Sequence, residues 1–316
     1  MTHADSSPLA RPDFGPALAA ARAAAGPQHY PAGTLYMMAT PIGNLADVSL
    51  RALHVLQLAD AIACEDTRHT QQLLRAYGID GKPLLPLHEH NEAEAAQAVL
   101  ERLRQGQRVA YVSDAGTPAV SDPGARLVAA VHAAGLAASP LPGASSVTAA
   151  LSVAGAVAGS DATGFVFAGF LPAKSGERAT AVQRLAAEPR AVVLLEAPHR
   201  MAALAEALAP LGERPVTLAR ELTKQFEQVA TLPCAGLATW LAADPQRLRG
   251  EFALVLHPAA AAVQNADEHD RVLLTLLAEL PLKQAVKLAT ELTGAPRNAL
   301  YERALGLKAD NAAPKD

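Results

Sequence analysis

Apolar runs alternate with helix-like stretches through the first half of the chain. Five short runs rich in apolar residues have the composition of buried strands, at 34–40, 59–64, 82–87, 108–113 and 136–141. Helix-like stretches separate them at 48–57, 68–77, 92–105 and 125–134. Because strands that alternate with crossover helices form parallel sheets, this pattern predicts an α/β domain with a parallel sheet.

A second alternating series follows a helix-like stretch at 145–153 and an interval of small residues between Gly155 and Gly164. Its strand-like runs lie at 165–168, 191–196, 216–221 and 251–257, and its helix-like runs at 176–187, 200–208 and 235–242. The small-residue interval has the composition of a domain boundary, so the chain is predicted to contain two α/β domains.

The two ends of the chain depart from this pattern. The first 32 residues are rich in Ala and Pro and are expected to be a disordered tail, since a helix at 17–25 would have no apolar face to bury. The other end contains helix-like pieces at 270–279, 282–293 and 297–306, and a Gly-Ala-Pro turn predicts a helix-turn-helix. The predicted divisions are a tail at 1–32, α/β domains at 33–157 and 158–260, and a helical appendage at 268–308.

Composition narrows the class of protein. The 316 residues carry a net charge of −4, from 27 basic and 31 acidic side chains, so no global field attracts nucleic acid or an anionic membrane. The two cysteines, Cys64 and Cys234, are far apart in sequence and suit a reducing compartment. With no apolar stretch long enough for a signal peptide or a membrane span, we expect a cytoplasmic protein that does not enter the membrane.

Small polar clusters follow successive predicted strands. They occupy 40–44, 65–68, 114–118, 142–146 and 196–200, where the strand ends of an open α/β sheet leave a ligand-binding crevice. Any single cluster is more often only a turn, but several together can enclose a zwitterionic small molecule. No Gly-x-Gly-x-x-Gly or P-loop pattern is present, which removes the main support for a nicotinamide dehydrogenase or a nucleotidase.

Nine segments in order closely resemble the ribosomal RNA small-subunit methyltransferase I family of the tetrapyrrole methylase (class III) superfamily. They are LYMMATPIGNLADVSLRAL, CEDTRHTQQLL, LHEHNE, VSDAGTPAVSDPG, PLPGASS, GFLPAKSGER, EAPHR, ARELTKQFE and GEFALVL. The resemblance implies two α/β domains that enclose S-adenosylmethionine, a homodimer, and ribose 2′-O-methylation of a cytidine in the decoding region of 16S rRNA, with either the RNA itself or the small ribosomal subunit as the partner. Two segments depart from the family pattern, PGASS and LEAPHR, but both keep the small or apolar character of a cofactor pocket.

The resemblance also implies which residues contact the cofactor. Asp114 is placed to accept hydrogen bonds from the ribose hydroxyls or the amino group, and the small residues after it let the backbone approach closely. The full expected set is Pro41, Gly43, Asp114, Ala115, Gly116, Ser145, Ser146, Glu196, Ala197, Glu251 and Phe252.

Methyl transfer from a sulfonium needs no metal, because the electrophile already carries its charge, but the 2′-hydroxyl proton must leave. The candidate catalytic residues are Glu65, Asp66, Arg68, Glu196 and Glu221, and His90 and His199 are further candidate bases. Water is an equally open acceptor at this point. His88 and His90 suggest a zinc site only weakly, because no third ligand is evident, so no metal is expected.

RNA contacts are expected from basic residues in the cleft and in the appendage. The expected set is Arg200, Lys224, Lys283, Lys287 and Arg297. A solvated surface charge or an ion pair is the alternative for the first two, and capping of the second domain or of a dimer partner is the alternative for the appendage.

Other function classes remain open beside the leading one. A methylase of a small tetrapyrrole or of a protein side chain belongs to the same superfamily, but those relatives lack EDTRHT and the C-terminal helices. The remaining alternatives are a non-catalytic ribosome-binding module and a metal phosphohydrolase built on Glu65, Asp66, Asp114 and Asp122.

Overall fold

A computed structural model describes residues 13–88, 91–156, 163–259 and 266–312. Two five-stranded sheets follow one another along the chain, and three helices come after them. The strands of the first part are β1 (Thr34–Met38), β2 (Ala61–Cys64), β3 (Leu84–Pro86), β4 (Val109–Val112) and β5 (Ala137–Leu141). Its helices are α1 (Gly15–Ala25), α2 (Leu50–Leu58), α3 (Thr67–Ala76), α4 (Glu92–Arg104), α5 (Ala125–Ala133) and α6 (Ser146–Ala154).

The first sheet is parallel throughout, with the order β3-β2-β4-β1-β5. Successive side chains of β1 enter different cores, Leu35 on one face of the sheet and Tyr36 on the other, as the two-residue period of a strand requires. The α/β fold class and the parallel sheet predicted from the sequence are confirmed, and the strand and helix ends agree to within two residues.

The N-terminal segment is a correction to the sequence analysis. Within the expected tail, α1 is a helix that packs against α2, with Ala21 and Ala25 fully buried. The ring of Phe14 meets Tyr77 edge-on, at a centroid distance of 4.8 Å. The prediction of a loose segment was wrong for this part, because small Ala side chains one turn apart form an apolar face that allows close helix packing. Residues 1–12 lie outside the described part of the chain.

The order of the first sheet positions the candidate loops. Because β1 lies between β4 and β5, the loops that leave the carboxyl ends of these three neighbouring strands meet at one edge. This edge is where open α/β sheets bind their ligands.

The second sheet is mixed, with the order β6-β7-β10-β8-β9. Its strands are β6 (Phe165–Phe170), β7 (Ala191–Glu196), β8 (Pro215–Arg220), β9 (Gln228–Pro233) and β10 (Phe252–Leu256), and its helices are α7 (Ser175–Leu185), α8 (Met201–Leu208) and α9 (Leu237–Ala242). Only β6 and β7 pair in parallel; the other three pairs are antiparallel. Strand β9, at the edge, was not predicted. Short 3₁₀ turns lie at Leu45–Asp47, Pro198–Arg200, Ala209–Leu211, Cys234–Gly236 and Pro245–Leu248.

The chain ends in the helices α10 (Ala266–Glu279), α11 (Leu282–Thr293) and α12 (Arg297–Ala312). They pack around their own core, which includes Leu273, Val286 and Leu300. An ion pair between Arg303 and Asp270 joins α12 to α10. None of the helices in the described ranges combines the length and apolar character needed to cross a lipid bilayer.

Candidate functional site

The loops after β1 and β4 are joined by a two-way backbone bridge. Thr40 N donates to Gly116 O at 2.9 Å, and Gly116 N donates to Thr40 O at 3.0 Å. Gly116 has φ +82°, and a Cβ there would lie 3.2 Å from Cγ2 of Ile42. A glycine is therefore needed for both the turn and the close approach of the two loops.

The loop after β5 joins the same edge. Thr117 Oγ1 donates to Ala144 O at 3.0 Å, which ties the loop after β4 to residues just ahead of α6. Ser145 is the N-cap residue of α6, and Ser146 is its first residue. The three loops thus form one connected surface that faces the second sheet.

A cavity of ≈ 340 Å³ lies between this surface and the second sheet. This volume is within the range typical of small-molecule sites, roughly 300–1,000 Å³. Its wall is mainly apolar with two carboxylates, and its residues are Ile42, Ala115, Ser146, Phe170, Leu195, Glu196, Ala197, Pro198, Ala219, Leu222, Glu251, Phe252 and Ala253.

Glu196 is the buried charge of this cavity. It ends β7, and its side chain is 1% exposed. Oε1 accepts from Ala197 N at 2.9 Å and lies 3.0 Å from Nε of Arg200. The other oxygen, Oε2, is buried and has no hydrogen-bond partner among the described residues. A buried carboxylate oxygen without a partner is costly, and its place in a cavity wall marks it as an acceptor for a bound molecule.

The loop Glu221–Glu227 borders the cavity through Leu222. Two of its side chains, Glu221 and Lys224, form an ion triad with Glu251. Lys224 Nζ donates to Glu221 Oε1 at 2.9 Å and to Glu251 Oε2 at 2.7 Å. Burial alone would raise the pKa of Glu221, but the hydrogen bonds from Lys224 and from the backbone of Glu251, together with the nearby positive charges, outweigh it and the pKa is lowered. Burial likewise opposes the charge of Lys224, whose pKa is nevertheless raised by the two carboxylates.

This loop also contacts the first part of the chain directly. Asn44 N donates to Thr223 Oγ1 at 3.1 Å, and a Cβ on Gly43 would lie 2.5 Å from Cγ of Lys224. Gly43 therefore allows the Lys224 side chain to pack against the loop after β1.

Two of the acidic candidates, Asp66 and Asp114, take part in local hydrogen bonds. Asp66 caps α3 by accepting from Arg68 N at 2.7 Å, which lowers the pKa of its carboxyl. Asp114 Oδ1 accepts from Asp66 N at 3.2 Å. Asp122 differs, because burial raises its pKa despite a hydrogen bond from Ser113.

The predicted cofactor residues divide into two groups. Ala115, Ser146, Glu196, Ala197, Glu251 and Phe252 line the cavity. Pro41, Gly43, Asp114, Gly116 and Ser145 belong to the same loops but are not in its wall, and Ser145 lies in a separate apolar groove.

The sequence analysis did not identify several apolar residues of the wall. Ile42, Phe170 and Leu222 stand inside quoted motifs, and Leu195 directly precedes the motif EAPHR. Their position within or beside the motifs was the available signal, but apolar residues there are indistinguishable from core residues in the sequence.

The remaining candidates are distributed as follows. Arg200 and Lys224, expected at RNA, are engaged by carboxylates of the cavity wall. Glu65 follows β2 and is half-buried, and Arg68 and His199 are exposed. Lys283, Lys287 and Arg297 are exposed on α11 and α12. His90 and Glu89 lie outside the described residues.

Two family models match the chain. The model described as Tetrapyrrole (Corrin/Porphyrin) Methylases matches residues 34–238, and the model described as RsmI C-terminal HTH domain matches residues 263–308. The first spans the first sheet and strands β6 to β9 of the second and ends in α9, and the second covers most of the three final helices.

Curated relatives match over most of their length. The chain is 50% identical over 279 residues to "Ribosomal RNA small subunit methyltransferase I" of Neisseria meningitidis, covering 87% of this chain and 94% of that protein. It is 47% identical to the protein of the same name from Pseudomonas aeruginosa, covering 87% of this chain and 97% of that protein.

Solved structures share the fold at lower identity. A cobalt precorrin-4 methyltransferase is 20% identical with a TM-score of 0.54, covering 72% of this chain and 98% of that chain. A uroporphyrin-III-C-methyltransferase from Thermus thermophilus is 22% identical with a TM-score of 0.50, covering 71% of this chain and 94% of that chain.

Proposed function

The chain belongs to the ribosomal RNA small subunit methyltransferase I family of the tetrapyrrole methylases, and on that premise we propose that it methylates the 2′-hydroxyl of a cytidine in the decoding region of 16S rRNA. The methyl donor is S-adenosylmethionine. We place the reaction in the cytoplasm, on the RNA of the small ribosomal subunit.

The observation that carries the proposal is the 50% identity to a relative named for this RNA, over 87% of the chain. A tetrapyrrole methylase of known structure is covered almost completely by 72% of this chain. The C-terminal model at 263–308 lies beyond the methylase model, which ends at residue 238. This arrangement favours an RNA substrate over a small tetrapyrrole, because the additional helices supply exposed cations.

The cavity fits the proposed cofactor on two structural grounds. Glu196 Oε2 is a buried acceptor without a partner among the described residues, and Gly116 keeps the adjoining turn free of a side chain. When bound, S-adenosylmethionine supplies a methyl group on a positively charged sulfur. We propose that Ala115, Ser146, Ala197 and Phe252 hold the cofactor by close packing, and that Glu196 accepts a hydrogen bond from it.

Carboxylates of this chain with a lowered pKa are poor proton acceptors. This applies to Asp66, which caps α3, and to Glu221, which pairs with Lys224. We therefore assign these two residues to holding their loops in place. The 2′-hydroxyl proton is proposed to leave to water as the oxygen gains the methyl group.

We also propose that the protein acts as a homodimer. An apolar groove of ≈ 570 Å³ beside the cavity includes Val120 and Phe165, both large and exposed. Contiguous exposed apolar surface is typical of an interaction site. Light scattering at micromolar concentration tests this, and a monomer would contradict it.

Ligand binding and label transfer test the proposed activity together. S-adenosylmethionine should raise the melting temperature, whereas magnesium alone should not, because only a ligand that binds the native state stabilises it. Labelled methyl groups should then appear in the RNA of small subunits. Label in a porphyrinogen or in ribosomal protein instead would contradict the proposal.

A further inference from the structure

Two phenylalanine side chains are exposed beside the cavity. Phe170, at the end of β6, lines the cavity and is 53% exposed. Phe226, in the loop Glu221–Glu227, is 70% exposed. Single exposed apolar residues are common on protein surfaces, so exposure alone assigns them no role.

Their positions are opposite one another across the same end of the second sheet. Phe170 pairs in register with Leu195 of β7, and Phe252 of β10 pairs with both Glu196 and Arg220. Two strands, β7 and β10, separate β6 from β8. At about 4.8 Å per strand, Phe170 and the end of β8 are roughly 14 Å apart, with the cavity wall between them.

The backbone that presents Phe226 is held in place. Arg220, which is buried, donates from its guanidinium to Phe226 O at 3.4 Å and to Arg249 O at 2.7 Å. Thr223 N donates to Glu227 Oε2 at 2.6 Å. Glu221 and Thr223 have φ of +52° and +66°, conformations that non-glycine residues adopt only when the surroundings compel them. A loop whose strained backbone is held in place and which exposes an aromatic ring is typical of a functional site rather than of an incidental surface position.

Three cations beside the cavity are engaged within the protein. Lys224 pairs with two carboxylates, Arg200 with Glu196, and Arg220 with backbone carbonyls. Phosphate groups would have to compete with these partners for the three side chains. The exposed rings of Phe170 and Phe226 at the opening of the cavity are instead suited to nucleobases, because any base can stack on an aromatic ring.

We propose that Phe226 and Phe170 are stacking platforms for the bases on either side of the nucleotide whose ribose enters the cavity. This inference rests on the proposed RNA methylation and adds how single-stranded RNA is bound at the opening of the cavity. The basic appendage then supplies phosphate contacts, and the two rings position the target.

Steady-state kinetics of Phe226 variants test the proposal. With unmethylated small subunits as substrate, Phe226→Ala should raise the KM for RNA roughly tenfold, as expected when one base loses its stacking partner. The dissociation constant for S-adenosylhomocysteine should stay within about twofold, because Phe226 is not in the cavity wall. Phe226→Trp should restore the KM, since an indole stacks at least as well. Phe170→Ala should raise the KM similarly.

Val229→Ala is the matched control. Val229 is also an exposed large apolar residue, on β9 just after this loop, and its removal should leave the KM unchanged. A wild-type KM for Phe226→Ala would overturn the inference, as would a photo-crosslink from the Phe226 peptide to ribosomal protein instead of RNA. A wild-type protein that transfers no methyl group to RNA would overturn the proposed function itself, so the two failures are distinguishable.

Discussion

Arg200 Nε lies 3.0 Å from Glu196 Oε1, and the guanidinium also donates to Leu171 O, so one arginine fixes a carboxylate whose second oxygen is buried without a partner among the described residues. The two residues are four positions apart, at the end of β7 and in the following turn. The pair is therefore built by a short local segment. Its effect is to hold Glu196 in place beside a positive charge, and the proposed cofactor would bind at Oε2.

Removing the arginine should destabilise the protein. Arg200→Ala should lower the free energy of unfolding by about 3 kcal/mol, because it leaves a buried carboxylate without its counter-ion. Arg200→Lys should recover only part of this loss, since an ammonium cannot reproduce both contacts of the guanidinium. The control is Arg190→Ala, which breaks a more exposed pair with Glu188 and should cost clearly less stability. Equal losses for both alanine variants, measured by urea unfolding, would contradict this account.

Replacing the carboxylate should affect cofactor binding. Glu196→Gln keeps the shape of the side chain but removes its charge, so the affinity for S-adenosylhomocysteine should fall roughly tenfold, about 1.4 kcal/mol. Isothermal titration calorimetry measures this directly. Unchanged affinity in a folded variant would show that Oε2 does not contact the cofactor.

The turn at Gly116 should also be needed for the cofactor. Gly116→Ala would place a methyl group 3.2 Å from Ile42, in the cavity wall, at φ +82°. Gly135→Ala is the matched control, because Gly135 also has positive φ, +69°, but a Cβ there meets no atom within 4 Å. Both variants should lose about 1 kcal/mol of stability. Only Gly116→Ala should lose affinity for S-adenosylhomocysteine, and equal affinities would contradict the placement of this loop at the cofactor.

The pKa of Asp122 predicts a pH-dependent gain of stability on mutation. Burial raises this pKa above its ordinary value of 3.8, so the folded state binds the proton more tightly than the unfolded state. Stability from this group is fully present below that value and is lost as pH rises through the raised pKa. Asp122→Asn, which is always neutral, should therefore melt higher relative to wild type at pH 7 than at pH 3.5. Melting curves at both pH values check this, and a constant difference would contradict it.

Charge reversal in the appendage should weaken RNA binding alone. Lys283→Glu, Lys287→Glu and Arg297→Glu together should raise the KM for small subunits and flatten its salt dependence. The control is a second triple charge reversal, at Arg75, Arg104 and Arg184, which are exposed on α3, α4 and α7. If the KM of the appendage variant keeps the salt dependence of the wild type, these helices are not part of the RNA interface. A monomer with normal RNA affinity would assign them to the dimer.

The fold was predictable wherever pattern and local chemistry agree. Alternation of apolar runs with helices sufficed for the parallel sheet, because its three central strands β1, β2 and β4 are buried on both faces. Strand β9 was missed, because its alternating exposure depends on pairing with β8, a long-range contact. Helix α1 was misjudged for a related reason, since its buried Ala face exists only against α2.

The residues of the candidate site also divide into those that the sequence predicted and those that depend on the folded structure. Glu196 and Glu251 were expected because the resemblance to the family implied them, and both are in the cavity wall. Phe170 and Leu222 were not expected, because a sequence does not reveal which apolar side chains face a cavity. The carboxylate partners of Arg200 and Lys224 depend on the folded geometry and could not be predicted from the sequence; the contact of these two residues with RNA stays a prediction.

The most direct test of the central claim is a map of ribose methylation in 16S rRNA. Small subunits from cells that lack this protein should be unmethylated at one cytidine ribose of the decoding region. Incubation with the purified protein and S-adenosylmethionine should restore that single 2′-O-methyl group. A methyl group that appears on a base, at a nucleotide outside the decoding region or not at all would contradict the account.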